Sequence, residues 1–503
     1  MSPSRPLTVW VLGDQLHRGI SSLDGVDPAA TRVLMVRSVA KVRSKPFHRQ
    51  RLHAVLAGMR RLGAELAAEG FAVDERDAPT LAAGLAAHRE DFPDQVVRAM
   101  EPMSHDGLAL LRDQGVEIVA SNQFLCHRDE FAAWAGGAAD RNGRLRMEDF
   151  YRWQRRRLGY LMDGDEPAGG QWNFDHDNRE RPPTDGRSWP AAVLDDLDDL
   201  DADVVAGLPD SAVGADPGGW WATDRAGALR RLEAFVDEGL ARFGPHEDAM
   251  LAAEPKMAHS VLSQALNLGL LHPAEVADAI EAAYREGRVP IASAEGFLRQ
   301  VIGWREYVWG LYWLWMPGYR DANVLDAHRP LPPALRGEGT DMRCVSLAVE
   351  GIDERGWVHH IQRLMVLGNL GLLAGVEPSA MVEWMWASFV DGAEWVMLPN
   401  LIGMSLHADG GMMATKPYAG GGAYIHRMSD SCRGCRYRPG ERVGERACPF
   451  TTLYWDFLAR HGDRFAANHR MARQVKAMRN LRDLDAVRDR AAEVLERLDA
   501  GEL

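Results

Sequence analysis

"LTVWVLGDQL", residues 7–16, is an apolar, partly β-branched run that ends abruptly at Gly13 and Asp14. A short apolar run closed by turn residues reads as a strand buried on both faces. "RVLMV" (32–36), "QVVRAM" (95–100) and "VEIVAS" (116–121) repeat the pattern, and "RQRLHAVLAGMRRLGAELAAEG" (49–70) has the length and period of a helix. Strands alternating with helices predict a parallel α/β, Rossmann-like domain over residues 1–125. No Gly-x-Gly-x-x-Gly follows the first strand, so a standard dinucleotide fingerprint is absent.

Residues 126–222 read as a connector. It holds the helical "MEDFYRWQRRRLGYLM" (147–162) and the Gly-, Asp- and Asn-rich loop "GGQWNFDHDNRERPP" (169–183). Its acidic run at 192–217 has no basic residue and reads as a solvated linker or surface helix. From residue 223 to 503 helical periodicity takes over, as in "DRAGALRRLEAFVDEGLARFG" (224–244), "AEGFLRQVIGWREYVWGLYWLW" (294–315) and "VHHIQRLMVLGNLGLLAG" (358–375). The C-terminal half is expected to be a large all-α domain.

The 503-residue chain is 46% hydrophobic and 26% charged, ordinary globular composition. No apolar run nears the roughly 18 residues a membrane helix needs, and the N-terminus lacks a signal-peptide pattern. The chain is expected to be a cytoplasmic monomer. A net charge of -14 argues against indiscriminate nucleic-acid binding but leaves room for a local basic groove.

Three of the five cysteines crowd into "SCRGCRYRPGERVGERACPF" (431–450) as Cys432-x2-Cys435-x12-Cys448-Pro449. A Cys-x2-Cys pair places two thiolates on one ion or cluster, and a third returns later. Cys344 in "TDMRCVSL" is the expected fourth ligand, and Cys126 reads as a core thiol. Zinc and an iron–sulfur cluster both fit this spacing, with the proline after Cys448 leaning toward iron–sulfur.

The motifs "GWREY" (303–307), "HSVLSQALNLG" (259–269), "HHIQRLMVLGN" (359–369), "EWVMLPNLIGMS" (394–405), "ADGGMMATKPY" (408–418) and "CPFTTLYWDFL" (448–458) resemble the photolyase and cryptochrome family. With "GGQWNFDHDNR" (169–179) and the four cysteines, the chain resembles its bacterial iron–sulfur branch, the prokaryotic (6-4) photolyases and related cryptochromes. That resemblance implies an N-terminal antenna domain and a C-terminal domain binding FAD and a [4Fe-4S] cluster on Cys344, Cys432, Cys435 and Cys448. It also implies a 6,7-dimethyl-8-ribityllumazine antenna. The implied reaction is light-driven repair of pyrimidine (6-4) lesions in UV-damaged DNA, with the lesion flipped out of the duplex. The alternatives are a blue-light receptor without repair activity and a zinc-stabilised binding protein.

The resemblance also implies roles for residues. His259, Ser260, Val261, Leu262 and Ser263 would cradle the FAD phosphates. Arg305 and Asp391 would form an ion pair beside the flavin, and Gln300, Trp304, Met397 and Asn400 would line its pocket. His360 would give a proton to the lesion with His359 in support, and Asp248, Tyr418 and Tyr424 would stand at the pocket. Arg179 is the expected DNA contact. "RWQRRR" (152–157) and Arg433, Arg436 and Arg438 are further basic positions, and Asp175 and Asp177 are candidates for a divalent cation.

The chain departs from the family pattern at several positions. Met397 stands where the family has a glutamate next to flavin N5, and a thioether is only a weak acceptor. Trp384 matches an inner relay tryptophan, but its tyrosine neighbour is Met385 and the outer tryptophan is Arg336. Either Trp386 or Trp395 reroutes the path, or photoreduction is poor. Arg37 and Lys41 replace acidic antenna-pocket residues, which puts lumazine binding in doubt, and His246 replaces a tyrosine.

Overall fold

The N-terminal half is built on five parallel strands, β1 (Leu7–Val11), β2 (Thr31–Ser38), β3 (Ala72–Ala78), β4 (Val96–Met100) and β5 (Glu117–Val119), in the order β3-β2-β1-β4-β5. The computed structural model describes residues 6–140 and 143–503, so the first five residues of the expected antenna domain lie outside it. Val9, Trp10, Val11, Val33, Leu34 and Met35 are buried in the sheet, as their apolar runs require. β3, "AVDERDA", escapes sequence reading because it is polar and mostly exposed. It is an edge strand, and its register on β2 sets Arg37 opposite Asp77, where the two side chains form a two-pronged ion pair at 2.8 Å.

Strand order reverses on either side of β1, and a crevice forms outside the carboxyl ends of strands at such a switch point. The "GDQL" turn after β1 lies there. The Gln15 amide donates to the carbonyls of Met100 (3.3 Å) and Glu101 (3.1 Å) at the end of β4. The Leu16 N–H donates to Leu268 O at 2.8 Å, which ties the turn to the helical half.

The acidic run is largely the surface helix and linker expected, with Asp196, Asp198, Asp199, Asp203 and Asp210 exposed, but Asp195 and Asp201 depart from the solvated reading. It contains a helix, Asp199–Ala206, but Asp201 is buried and accepts from His53 Nε2 (2.8 Å) and Arg61 (2.8 Å) on the Arg49–Ala68 helix. Asp195 binds Arg230 (2.6 Å) and Arg231 (2.7 Å) of the helical half. Carboxylates at 192–217 therefore clasp both halves, which a one-sided charge count does not reveal.

The connector packs inward as well. Its Arg128–Ala138 helix seats Phe131 against Gly310 of the Glu306–Trp315 helix, where a Cβ would collide with the ring. Beyond it the chain is helical, interrupted by π-type turns at Phe235–Gly239, Arg299–Arg305, Gln362–Gly368 and Pro399–Ser405. Such turns mark functional sites more often than chance. The last two pack so closely that a Cβ on Gly368 would strike Ser405 Oγ. Among the described residues no helix is long and apolar enough to cross a membrane.

Replacing Gly310 by alanine should force Phe131 out of its seat and cost about 1–3 kcal/mol in urea unfolding. An unchanged midpoint would contradict the close contact.

Candidate active site and cysteine centre

Asp391 organises the centre of the helical half. Arg363, from the Gln362–Gly368 segment, grips its two oxygens at 2.9 and 3.1 Å. The Ser263 hydroxyl donates to Oδ2 at 2.6 Å, and the Asn267 amide donates to the Asp391 carbonyl at 2.8 Å. Both come from the short Ser263–Asn267 helix, so one buried acid fixes three chain segments. Arg51 approaches from the α/β half and donates to Trp386 O; its buried guanidinium is balanced by Asp391 and Asp14.

The expected pairing of Arg305 with Asp391 is therefore wrong. Arg305 pairs with Glu306 (2.8 Å) and lies 4.1 Å over the Phe124 ring and 5.4 Å from the Trp395 ring. It belongs to the same region, since its Nη2 reaches Leu266 O at 3.5 Å. Arg363 is the partner that sequence reading missed. The signal was present: it is the one charged residue in the apolar run 361–374.

His259 and His359 stack with ring centroids 4.5 Å apart and planes 14° from parallel. Burial, then neighbouring positive groups, pushes His259 down to about 3 and His359 well below its ordinary value. His360 keeps open surface, yet the protein around it and Arg363 hold its imidazole down to about 4. All three are neutral at pH 7. His259 Nε2, His359 Nδ1, Arg305 Nε and Gln362 Oε1 are buried without a hydrogen-bond partner. Buried polar groups are normally satisfied, so His259 Nε2, His359 Nδ1 and Arg305 Nε suit a polar ligand at this centre, whereas Gln362 lines a separate cavity beside Cys344 and Ser429. Val261, a β-branched residue, adopts φ +57° inside "HSVLS", a strained conformation characteristic of binding loops.

A second group gathers around Asp248. Tyr424 and Asp248 interact, burial and then the carboxylate pushing the phenol up, and Arg179, exposed and at φ +74°, bonds Asp175 at 2.6 Å and approaches Asp248 at 3.7 Å. The positive charge of Arg179 and the negative charge of Asp175 both act on the half-buried Tyr418. Asp175 also pairs with the buried Arg299, so Arg299 and Arg179 take the carboxylate that was a candidate cation ligand. Asp177 pairs with His176 at 3.1 Å. Glu247, not singled out from sequence, is pushed up to about 8 by burial and by Asp248.

Cys344, Cys432, Cys435 and Cys448 line one recess, with Met342, Ile425, Tyr437 and Phe450 as its apolar wall. Burial and then the other three thiols raise Cys344, and burial pushes Cys432 up to about 12. Cys126 is buried elsewhere, as expected, in the core shared by the two halves, where its N–H donates to Glu306 at 2.8 Å. Among the described residues no three His, Cys, Asp or Glu side chains converge on a single-ion site; the thiols ring a space rather than meet at a point.

Residues 9–214 match the family model described as deoxyribodipyrimidine photo-lyase-related protein. A (6-4) photolyase from Agrobacterium fabrum (strain C58 / ATCC 33970) is 39% identical over 507 residues, covering 98% of this chain and 99% of the relative. The chain belongs to the photolyase family. A bacterial class III photolyase from Agrobacterium tumefaciens, known from its crystal structure, shares the fold with a TM-score of 0.59 at 16% identity, over 91% of this chain and 97% of that one. A mimivirus protein, R855 of Acanthamoeba polyphaga mimivirus, is 29% identical over 101 residues, 20% of this chain and 75% of its own.

In this photolyase chain the remaining expected positions divide. Met397 is buried, Asn400 donates to Val396 O (2.8 Å), and Trp304 is half-buried. Gln300 is exposed and donates to Gly296 O at 3.1 Å. Trp384 is half-buried, and Trp386 lies at the junction with the α/β half, with Lys45 Nζ 4.9 Å and Lys41 Nζ 6.0 Å from its ring. Arg336 pairs with Glu338 at 2.9 Å, and Met385 is buried. Of the basic run at 152–157, Arg155 is buried and donates to the carbonyls of Tyr160, Leu161 and Trp172, so it cannot track a phosphate. Arg433, Arg436 and Arg438 are exposed, and Arg436 is paired with Asp341 at 2.6 Å. His246 is buried with its ring edge-on to Trp189 at 5.3 Å.

Depressed histidines set the pH response. A histidine held neutral in the fold binds a proton more readily once unfolded, so stability falls as pH drops below about 6.5 and goes on falling toward the lowered folded value. For the buried His359 alone, moving from pH 7 to pH 5 should remove about 2 kcal/mol from urea stability. His359→Gln should flatten that slope.

Proposed function

We propose that the protein is a light-driven DNA repair enzyme that returns pyrimidine (6-4) photoproducts in UV-damaged DNA to the two original bases. The observation that carries this is 39% identity across 98% of the chain with a (6-4) photolyase. FAD is the group the centre around Asp391 suits: Ser263, Arg363 and Asp391 offer a rigid polar cradle, and the unpartnered polar atoms of His259, His359 and Arg305 await a ligand. Bound and reduced, FAD would supply the light-driven electron that splits the lesion.

The chain's own residues do the rest. Arg179, on an exposed loop in a left-handed conformation, would meet a phosphate and exchange its bonds to Asp175 and Asp248 for it. Tyr418 and Tyr424 would flank the extruded lesion, with Asp248 orienting Tyr424. His360 reaches open space from a helix whose other side is core. Neutral at pH 7, it would first donate a hydrogen bond from its N–H. Negative charge arriving on the lesion raises its proton affinity, so the same contact becomes the proton-delivery route. Arg363, four residues after His359, opposes early protonation of His360.

The four cysteines would hold a [4Fe-4S] cluster. The support is their common lining of an apolar recess and the Cys-x2-Cys pair with a third cysteine returning before a proline. A lumazine antenna has weaker support, because Arg37 is engaged by Asp77 and Lys41 stands beside Trp386.

Reduced, FAD-loaded protein under blue light should convert an oligonucleotide with one (6-4) photoproduct to intact bases, and His360→Ala should slow turnover by about a hundredfold or more. No repair beside an active control photolyase would overturn the proposal. Cys435→Ala should lower iron and acid-labile sulfide to near zero; full metal content would remove Cys435 from the ligand set.

A further inference from the structure

Trp309 and Trp313 lie on one face of the Glu306–Trp315 helix, four residues apart, with ring centroids at 5.4 Å. Trp309 in turn meets Trp395 edge-on at 5.7 Å. The Arg305 guanidinium, 5.4 Å from the Trp395 ring, reaches Leu266 O at 3.5 Å on the Ser263–Asn267 helix, which links Trp395 to the edge of the proposed FAD cradle. Phe124 clamps this row, stacked on Trp309 at 3.8 Å and 3° and edge-on to Trp395 at 5.1 Å. The inner two tryptophans are buried, whereas Trp313 is half-buried at the protein surface. The route expected from the family pattern is interrupted by Met385 and Arg336.

We propose that Trp395, Trp309 and Trp313 form the electron relay of this chain, carrying electrons inward from the surface. The inference rests on the FAD reading above. Trp395 gives one electron to the photoexcited oxidised flavin. Trp309 refills Trp395, Trp313 refills Trp309, and a thiolate in solution refills Trp313 and is oxidised to a thiyl radical. One electron crosses and every tryptophan returns to its starting state. Hydration sets the direction: a positive charge is costly on the buried Trp395 and Trp309 and is eased at the half-exposed Trp313. The cation beside each end is balanced, Arg305 by Glu306 at 2.8 Å and Arg128, 4.8 Å over Trp313, by Glu101 at 2.6 Å. The ends therefore differ mainly in burial.

The test is flash photolysis of oxidised, FAD-replete, full-length protein, reading tryptophan-radical absorbance without added thiol. The wild type should give a long-lived radical. Trp309→Phe keeps an aromatic ring against Phe124 but removes the middle step, and should cut the radical lifetime by at least about tenfold. Trp313→Phe should do the same, and it guards against a Trp309 variant that fails to bind FAD. Wild-type lifetimes in both FAD-loaded variants, or no tryptophan radical in the wild type, would overturn the relay. So would loss of the radical in Trp384→Phe with wild-type behaviour in Trp309→Phe. Chemically pre-reduced Trp309→Phe should repair lesions at the wild-type rate, because it bypasses the relay. If pre-reduced wild type repairs nothing, the repair reading fails separately, and the relay still stands or falls on the flash signal.

Discussion

One buried carboxylate, Asp391, holds the helical half in its working shape. Its oxygens are occupied by Arg363 and Ser263, its carbonyl is held by Asn267, and Arg51 approaches from the other half of the molecule. Removing one partner of such a set leaves a desolvated charge uncompensated, a cost of several kcal/mol. The segments that carry these partners are therefore not independently adjustable. The chain on either side, from "HSVLS" to the π-type turn at Gln362–Gly368, takes its position from this acid.

The same acid explains why the α/β half matters to a centre lying in the helical half. The sheet's switch point puts Asp14 and Gln15 at the carboxyl ends of the strands, facing the helical half, and Leu16 bonds Leu268. Arg51 then crosses the boundary, with Asp14 on one side and Asp391 on the other. The clasp made by Asp195 and Asp201 adds a second tie, so charge holds the two halves together alongside apolar contact.

Within this frame the polar chemistry separates by depth. The innermost histidines are kept neutral, which suits them to hydrogen bonding at pH 7 without adding charge to the core. Charges deep in the helical half are paired, Asp391 with Arg363 and Arg305 with Glu306, whereas Arg179, Asp175 and Asp248 stand nearer the surface. The cysteine recess is a separate apolar compartment whose wall includes Phe450, two residues after Cys448 in "CPF".

The sequence alone determined the parallel α/β half, the helical half and the four clustered cysteines, because apolar period and ligand spacing are local properties. It also supplied the site motifs through resemblance, and Asp248, Tyr424 and Arg179 do come together. It missed β3, because an edge strand can be polar and is defined by its neighbour's hydrogen bonds. It read Asp195 and Asp201 as solvated, because a carboxylate's partner lies far along the chain. It gave Asp391 the wrong arginine, because Arg305 and Arg363 are both cations in largely apolar helices and only packing chooses between them. The row from Trp395 through Trp309 to Trp313 is likewise a tertiary fact: two of its members share a helix face, but the third arrives from a segment some eighty residues later. Local chemistry is written in the order of residues; the pairing of charges and rings across the core is decided only when the chain has folded.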